Sequence, residues 1–545
     1  MNAHRLNDKV GAVESGFLTG RSRTWLLVVC SLGVLLVISS MVALNAALGA
    51  IATDTLATQA QLTWIVDGYT LVMACLLLPA GALGDRYGRR GVMLVGLLIF
   101  AAASLAPIFF DSPLALIIAR SITGVGAAAV LPATLSLLTA AYPDEERTKA
   151  IGIWAGVCAS SAIVGFMGTA IITQFGSWRT IFWAFAGAAV LLFALALTIT
   201  SSKDPNPTPI DWWGALLIGS AIAAFVYGVI EAPLHGWGDP LVYGCLAGGV
   251  VLAIVFGFVE LRRPNPLLDI RVFKKPDMLT GSVGMTTLFF AIFGFFFLIM
   301  QYMALVMGYT PLQTAVALTP LAIPMMVLAG LTQWFLPRLG LRLSVAGGLA
   351  ILAAGLLCMR PLGVDSTYFD LAWPMLILSA GMGICNAPAT TAITGAVPLS
   401  KQGVASAIND TTRELGGALG IALAGSLLAA GYSSAFASSV ETLPSTLREP
   451  ALGSLAQALH IAGGLGPQGG DLARQANDAF LAGMQSSLLF LAVVVFSSAA
   501  VVAVWGPGRD GGQWRILRRF TANGSTTHDR SVKRGDEALE LRISH

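Results

Sequence analysis

The chain has 545 residues, 56% of them hydrophobic and only 11% charged, with a mean hydropathy of +0.76. Soluble domains carry about 25% charged residues, so this surface cannot face water and must face a bilayer. The net charge of +3 gives no handle for a nucleic-acid partner, and six cysteines that all lie inside apolar runs leave no disulfide to expect.

Apolar runs of about 20 residues, enough for one helical crossing, recur along the chain. A cytoplasmic N-tail, 1–23, precedes a first six-helix bundle over 24–200, with helices expected at 24–51, 62–83, 91–110, 113–140, 150–173 and 179–200. A linker over 201–278 carries two inserted helices at 212–231 and 240–260, whose closing glutamates Glu231 and Glu260 need only reach the interface. The second six-helix bundle, 279–506, has helices at 279–306, 312–336, 343–362, 371–396, 403–430 and 483–506. Its long outer loop, 433–482, is rich in Ala, Gly and Ser and reads as a partly ordered excursion or a short amphipathic hairpin. Residues 507–545 form a cytoplasmic tail, with Arg515, Arg518 and Arg519 placed to rest on anionic lipid. No cleavable signal peptide is expected, because the first apolar run is far longer than a signal core.

The expected fold class is therefore an all-α integral membrane protein: two pseudo-symmetric six-helix bundles plus two inserted helices, fourteen crossings in all. With the N-terminus inside, 26 of the 32 Lys and Arg fall in cytoplasmic segments. Four, Arg179, Arg360, Arg448 and Arg474, fall outside. That asymmetry orients the protein in the cell (inner or plasma) membrane with both termini cytoplasmic.

The two bundles echo each other. Gly84-Asp-Arg-Tyr-Gly-Arg-Arg90 after helix 2 matches Leu336-Pro-Arg-Leu-Gly-Leu-Arg342 after helix 10 at Arg, Gly and Arg. Gly124-Val-Gly126 and Pro132-Ala-Thr134 in helix 4 match Gly381-Met-Gly383 and Pro388-Ala-Thr390 in helix 12. Both matches are offset by eight helices, as two six-helix repeats separated by two inserted helices require. Parallel repeats with a site between them at mid-bilayer characterise alternating-access transporters.

These motifs resemble the major facilitator superfamily, and within it the fourteen-helix drug:proton antiporter family. The resemblance rests on Trp64-Ile-Val-Asp67-Gly-Tyr69, the Gly84–Arg90 loop, Arg120 with Gly124 and Gly126, and Gly176-Ser-Trp-Arg179. Asp211-Trp-Trp-Gly214, Arg262-Arg263-Pro-Asn-Pro266 and Gly416-Gly-Ala-Leu-Gly420 extend it, so that it covers roughly 25–430 and helix 14. It implies proton-coupled export of lipophilic, often cationic, drugs or dyes, with no cofactor beyond the proton gradient. The family's partners would be a small lipophilic substrate, protons and the lipid bilayer; a monomer is expected, since one chain holds both halves. Two positions depart from the family pattern. Ser40 stands where helix 1 usually has an aspartate, and Phe166 stands where helix 5 usually has a proline, although Gly165, Gly168, Thr169 and Ala170 keep that face small.

An ionised residue at the centre of a spanning helix costs about 2.5–3.5 kcal/mol on insertion scales, so each needs a reason. By helical rise, Asp67 lies about 8 Å below the outer interface, with Arg120 and Ser40 about 10 Å down. Asp67 is expected to take over proton carrying from the absent helix 1 aspartate, with Arg120 as its counter-charge. The alternative is a fixed Asp67–Arg120 pair that only joins helices 2 and 4. Trp64 shares the Asp67 face, to stack on a flat cation or simply to pack. In helix 13, Asp410, Arg413 and Glu414 share one face, Glu414 about 16 Å deep. Arg413 can neutralise one acid but hardly both, which leaves a proton or cation site, or else a structural network.

In the loop, Gly84 and Gly88 allow a tight turn. Asp85 with Arg86, Arg89 and Arg90 is set to clamp cytoplasmic helix ends, Asp85 accepting from the N-terminus of a helix in the same half. This would make Gly84–Arg90 a gating loop that holds the inner side closed in the outward-facing state, with Arg338 and Arg342 a reduced counterpart in the other half. Plain positive-inside anchoring is the alternative, against which the aspartate between two glycines speaks. No HExxH, no nucleophile arrangement and no phosphate loop points to an enzyme. Export of one endogenous metabolite or lipid, or antibiotic self-resistance, stays open beside multidrug efflux. A lateral opening between helices would favour a lipid, a closed acidic cavity a cationic drug.

Overall fold

Short polar residues and prolines set where the helices begin. Ser112 ahead of Pro113 accepts from Ala115 N, Asp239 ahead of Pro240 accepts from Leu241 N and Val242 N, and Asp211 accepts from Gly214 N. Thr310 with Gln313, and Thr367 with Asp370, form reciprocal capping boxes. Each cap satisfies N–H groups that a first helical turn leaves without partners, a need made acute by a solvent that offers none.

The structure, a computed structural model, describes residues 20–55, 57, 59–110, 112–203, 209–465 and 469–508. Among these, fourteen helices are long and apolar enough to cross a membrane. They are α1 Gly20–Ala43, α2 Gln61–Tyr87, α3 Arg89–Phe109, α4 Pro113–Ala141, α5 Glu145–Phe175, α6 Arg179–Ala196 and α7 Trp212–Ala232. After them come α8 Pro240–Arg262, α9 Pro276–Val306, α10 Pro311–Gly330, α11 Thr332–Cys358, α12 Tyr368–Gly395, α13 Leu399–Phe436 and α14 Gly469–Trp505. No strand occurs among the described residues, and all six cysteines are free. The tail arginines Arg515, Arg518 and Arg519 lie outside the described residues.

Two stretches differ from expectation. The first apolar run is not one helix to residue 51: it stops at Ala43, turns through Leu44–Ala46 and resumes as a separate helix, Leu48–Thr55. Asn45 Nδ2 donates to the Val42 carbonyl at this break, a local bond that competes with helix continuation. The outer 433–482 stretch contains a turn at Ser439–Thr442 and helices Ser445–Gly453 and Leu455–Gly464, and α14 already begins at Gly469. Tyr432 donates to the Ala451 carbonyl and holds this cap on α13. Its alanines, strong helix formers, explain why a loop-like composition is helical.

Helix pairing repeats with the eight-helix offset. α1 packs on α5 as α9 packs on α13; α2 on α4 as α10 on α12; α3 on α4 and α6 as α11 on α12 and α14. The glycine pairs serve the same two neighbours in exchanged order. A Cβ on Gly124 would strike Tyr69 of α2 and one on Gly126 would strike Gly96 of α3, whereas Gly381 meets α11 at Gly348 and Gly383 meets α10 at Met325. Glycines two apart point about 200° around the helix from one another, so the motif fits both neighbours either way.

The bundles meet most closely at the end of the helices that carries the Gly84–Arg90 loop. A Cβ on Gly81 of α2 would lie 2.3 Å from the Gly403 carbonyl oxygen of α13, and one on Gly152 of α5 would lie 2.4 Å from the Ala329 oxygen of α10. Even alanine cannot fit there without separating the bundles. Gly81→Ala is therefore expected to raise the rate at which a cytoplasmic thiol reagent labels an Ala407→Cys reporter beside this contact by about tenfold. An unchanged labelling rate would show that the contact does not hold the inner side shut.

Candidate functional site

Arg120 is 2% exposed and sits between helices, with no carboxylate bonded to it among the described residues. Its Nη1 donates to Ser40 Oγ at 2.9 Å, Nη2 to the Ser40 carbonyl at 3.0 Å and Nε to the Ile65 carbonyl at 3.3 Å. Its guanidinium stacks over the Tyr69 ring at 4.3 Å, and Tyr69 in turn donates to the Val37 carbonyl. Ser40, at the position of the family's helix 1 aspartate, thus holds the arginine by hydroxyl and carbonyl dipoles rather than by charge.

Asp67 is not the partner of Arg120, contrary to the expectation. Ile65 and Tyr69, four residues apart, share the α2 face that meets Arg120; Asp67, two residues from each, points about 200° away. It faces α7, where the charge acting on it is Glu231. Trp64, on the Asp67 face, stacks with Tyr227 of α7 at 5.6 Å between ring centroids. Asp67 is partly buried, and among the described residues no basic side chain pairs with it and no hydrogen bond reaches its carboxylate. Glu231 and Glu260 also depart from expectation. They are 6% and 3% exposed, Glu231 bonded to His235 and Glu260 accepting from Leu268 N, because helix packing at the hairpin encloses both.

On α13, Asp410, Arg413 and Glu414 are all at least 95% buried. Arg413 Nη1 reaches Asp410 Oδ1 at 3.3 Å, while its guanidinium lies 4.6 Å over the Phe289 ring and Cys158 of α5 lies close enough to feel its charge. Asn409 Nδ2 also donates to Asp410 Oδ1. Asp410 takes the arginine, so Glu414 is left without a hydrogen bond among the described residues, though it acts on Tyr69 across the bundle interface. Arg120 and Tyr69 stack within the first half, and the charge of Glu414 bears on Tyr69 from the second. Tyr69 and Cys158 escaped the sequence reading because neither is charged.

The charged loop joins the halves. Asp85, 6% exposed, accepts from Gly403 N at 2.8 Å and Val404 N at 3.1 Å, the first turn of the main α13 helix. Arg89, 1% exposed, donates twice to Asp85 Oδ1 and once each to the carbonyls of Leu399 and Ser400 and to Ser202 Oγ. The capped helix belongs to the opposite half, not the same half: the Gly81–Gly403 approach brings the α13 terminus directly over the loop. Gly88 has φ of 106°, which a side chain would resist, and turns the chain so that Arg90 caps the α6 end at the Ala196 and Leu197 carbonyls. Gly340, with φ of 77°, does the same for Arg342, which donates to the Gly506 carbonyl beyond α14. The second loop has Pro337 in place of Asp85, so it caps within its half and has no carboxylate to cross with. Gly84 accepts from Gly88 N at the turn, Arg86 lies 5.4 Å over the Tyr87 ring, and Arg338 stays with the Trp334 carbonyl.

At the end of the helices opposite the Gly84–Arg90 loop, Asp54 of the Leu48–Thr55 helix accepts from Trp178 Nε1 at 2.9 Å and Arg179 Nη1 at 3.0 Å. These two donors hold its carboxyl below the usual carboxylate range. This contact contributes stability above that range and loses it only as pH on that side falls through the lowered value.

Residues 30–421 match the profile of the Major Facilitator Superfamily. The chain is 31% identical to the multidrug resistance protein Stp of Mycobacterium tuberculosis, over 76% of this chain and 77% of Stp. It is 31% identical to the multidrug efflux pump LfrA of Mycolicibacterium smegmatis, over 89% of this chain and 96% of LfrA. The methyl viologen resistance protein SmvA of Salmonella typhimurium is also 31% identical, over 88% and 99%. Among solved structures, the human organic anion transporter MFSD10 superposes with a TM-score of 0.59 at 13% identity, over 88% of this chain and 99% of that one, a likeness of fold alone. A profile match over most of the length, relatives aligned nearly end to end and a repeated six-helix architecture agree: the chain belongs to the Major Facilitator Superfamily.

Proposed function

We propose that the protein exports lipophilic, cationic drugs or dyes across the cell (inner or plasma) membrane by alternating access, driven by inward proton flow. It would work as a monomer, with both termini cytoplasmic and no cofactor. The observation that carries this reading is Asp67, an acid within a spanning helix that has no basic partner among the described residues. An ionised carboxylate there is expensive unless it takes up a proton or an organic cation, and exchange of one for the other is antiport. Trp64 and Tyr227 add aromatic faces that suit a flat cation. The names of LfrA and SmvA, an efflux pump and a resistance protein for the flat dication methyl viologen, support the same substrate class. Glu414, buried and unbonded, serves as the second proton group, and Arg120 with Tyr69 carries its influence between the halves.

In the clamped state the cytoplasmic side is held shut by Asp85, Arg89 and the α13 terminus, and the site is offered to the outside. Releasing the clamp would turn the site inward to load substrate. The test is efflux of a cationic dye from proteoliposomes with an imposed pH gradient: gradient-driven efflux is expected, and none with an active, folded preparation would contradict the reading.

One observation favours export of a lipid-like metabolite instead. A groove of about 300 Å³ between α1, α5 and α6, lined by Leu36, Gly165, Gly168, Phe185 and Leu192, opens beside bilayer-facing Val164 and Leu191. Faster transport of an acyl-chain substrate than of any dye in the same vesicles would favour it.

A further inference from the structure

α7 lies along the seam between the two bundles. Its Ile218, Ile222, Val226 and Ile230 pack with Leu71, Ala74 and Cys75 of α2 and with Leu415 and Ala418 of α13. Just past its outer end, Trp237 Nε1 donates to Ser426 Oγ of α13 at 2.9 Å. An adjoining stripe of the same helix, Trp212–His235 in full, is polar: Tyr227, Glu231 and His235 follow at four-residue spacing and so share a face. Tyr227 meets Trp64, Glu231 acts on Asp67, and His235 Nδ1 lies 3.0 Å from Glu231 Oε2. Exposure falls from 58% for the His235 side chain at the outer end to 8% for that of Glu231 one turn in. A residue that needed only to reach the interface would not be enclosed in this way.

We infer that Glu231 and His235 form the outer leg of the proton path to Asp67, which makes the inserted helix part of the coupling machinery. The inference rests on the reading of Asp67 as the coupling acid. A proton from outer water binds His235 Nε2, and the imidazolium releases its Nδ1 proton to Glu231 Oε2. Protonated Glu231, about one turn above the Trp64–Tyr227 ring pair, then gives its proton to water entering beside that pair, the water gives one to the Asp67 carboxylate about one turn below it, and Glu231 returns to its anionic form. Proton transfer is the only bond change: Glu231 ends as it began, and the exposed imidazole, left with its proton on Nε2, gives that proton to outer water and regains one on Nδ1 by ring rotation or exchange. The titratable groups that face Glu231 are Asp67 from α2, Tyr227 and His235 from its own helix and, next to Tyr227, Cys245 from α8. α13 presents Leu415, Ala418 and Ser426 on this side. The relay therefore has an imidazole at the water, a carboxylate below it and, past the ring pair, the coupling acid, with no arginine or lysine paired with either acid among the described residues.

The test compares gradient-driven dye efflux with gradient-free dye counterflow in proteoliposomes. Glu231→Gln is expected to lower gradient-driven efflux by about a hundredfold, the usual worth of a positioned proton-transfer group, while counterflow persists. Glu231→Asp should restore much of the loss. His235→Gln should slow gradient-driven efflux while leaving counterflow intact. Full coupling in Glu231→Gln with coupling lost in Asp67→Asn would overturn the relay and leave the Asp67 reading standing. Full coupling in both variants would overturn the relay together with that reading. Loss of efflux and counterflow alike in Glu231→Gln, with no recovery in Glu231→Asp, would make Glu231 a structural residue and also overturn the relay.

Discussion

Replacing Asp67 by asparagine is expected to abolish gradient-driven dye efflux, a fall of about a hundredfold or more, while the protein still folds and lets dye move downhill. Asparagine keeps the shape and cannot carry a proton. Nothing in the fold should suffer, because Asp67 neither pairs with Arg120 nor accepts a hydrogen bond from any described residue. Arg120 keeps its three acceptors at Ser40 and Ile65 and its stacking on Tyr69 in the variant. That independence makes the experiment clean: a structural acid would lower folding yield, whereas a coupling acid lowers only the gradient-dependent component. Vesicles carrying the variant and retaining full gradient-driven efflux would move the coupling role to Glu414.

The Asp85→Asn variant is expected to spend most of its time open to the cytoplasm. In the clamped state Asp85 accepts from two backbone N–H groups of α13 and from buried Arg89 at 2.7 Å. Loss of the charge weakens each of these bonds and leaves Arg89 buried without an anion. Hydrogen bonds to charged groups are worth about 1.5–3 kcal/mol, and removing one partner of a buried pair costs about 3–5 kcal/mol. Asparagine keeps part of the geometry, so a net loss of about 3 kcal/mol is reasonable. It falls on the closed state alone and shifts the two-state balance about a hundredfold. The Ala407→Cys reporter should then be labelled rapidly from the cytoplasmic side, and efflux should fall because the outward-offering state is rarely reached. Asp85→Glu should sit between the two. Labelling as slow as in the unmodified clamp would show that the loop anchors the helices without gating them.

Much of this was legible in the residues. Fourteen crossings, the eight-helix offset and the loop turn follow from apolar length and from glycines at matched places, and Gly88 and Gly340 do adopt the same unusual backbone. The partner of Arg413 was half legible: one arginine between two acids on one face must leave one acid over, and it leaves Glu414. Where α2 turns its residues was within reach but missed. Asp67 sits two positions from Tyr69, so the two cannot face one helix together, and once Arg120 lies on Tyr69 the acid must look elsewhere. What lay elsewhere was not legible, because nothing in the spacing of Tyr227, Glu231 and His235 says that α7 fills the α2–α13 seam. The same holds for Asp85: a helix terminus to cap can be inferred, but which bundle supplies it is a matter of tertiary packing.

The central claim is that a proton and a lipophilic cation exchange at Asp67. Its most direct test is proton release when a cationic dye is added to purified protein in weakly buffered detergent solution near neutral pH. Wild type is predicted to acidify the solution in proportion to dye bound, and Asp67→Asn to bind dye with little or no acidification. Dye binding by wild type without proton release, or equal release from both proteins, would contradict the claim.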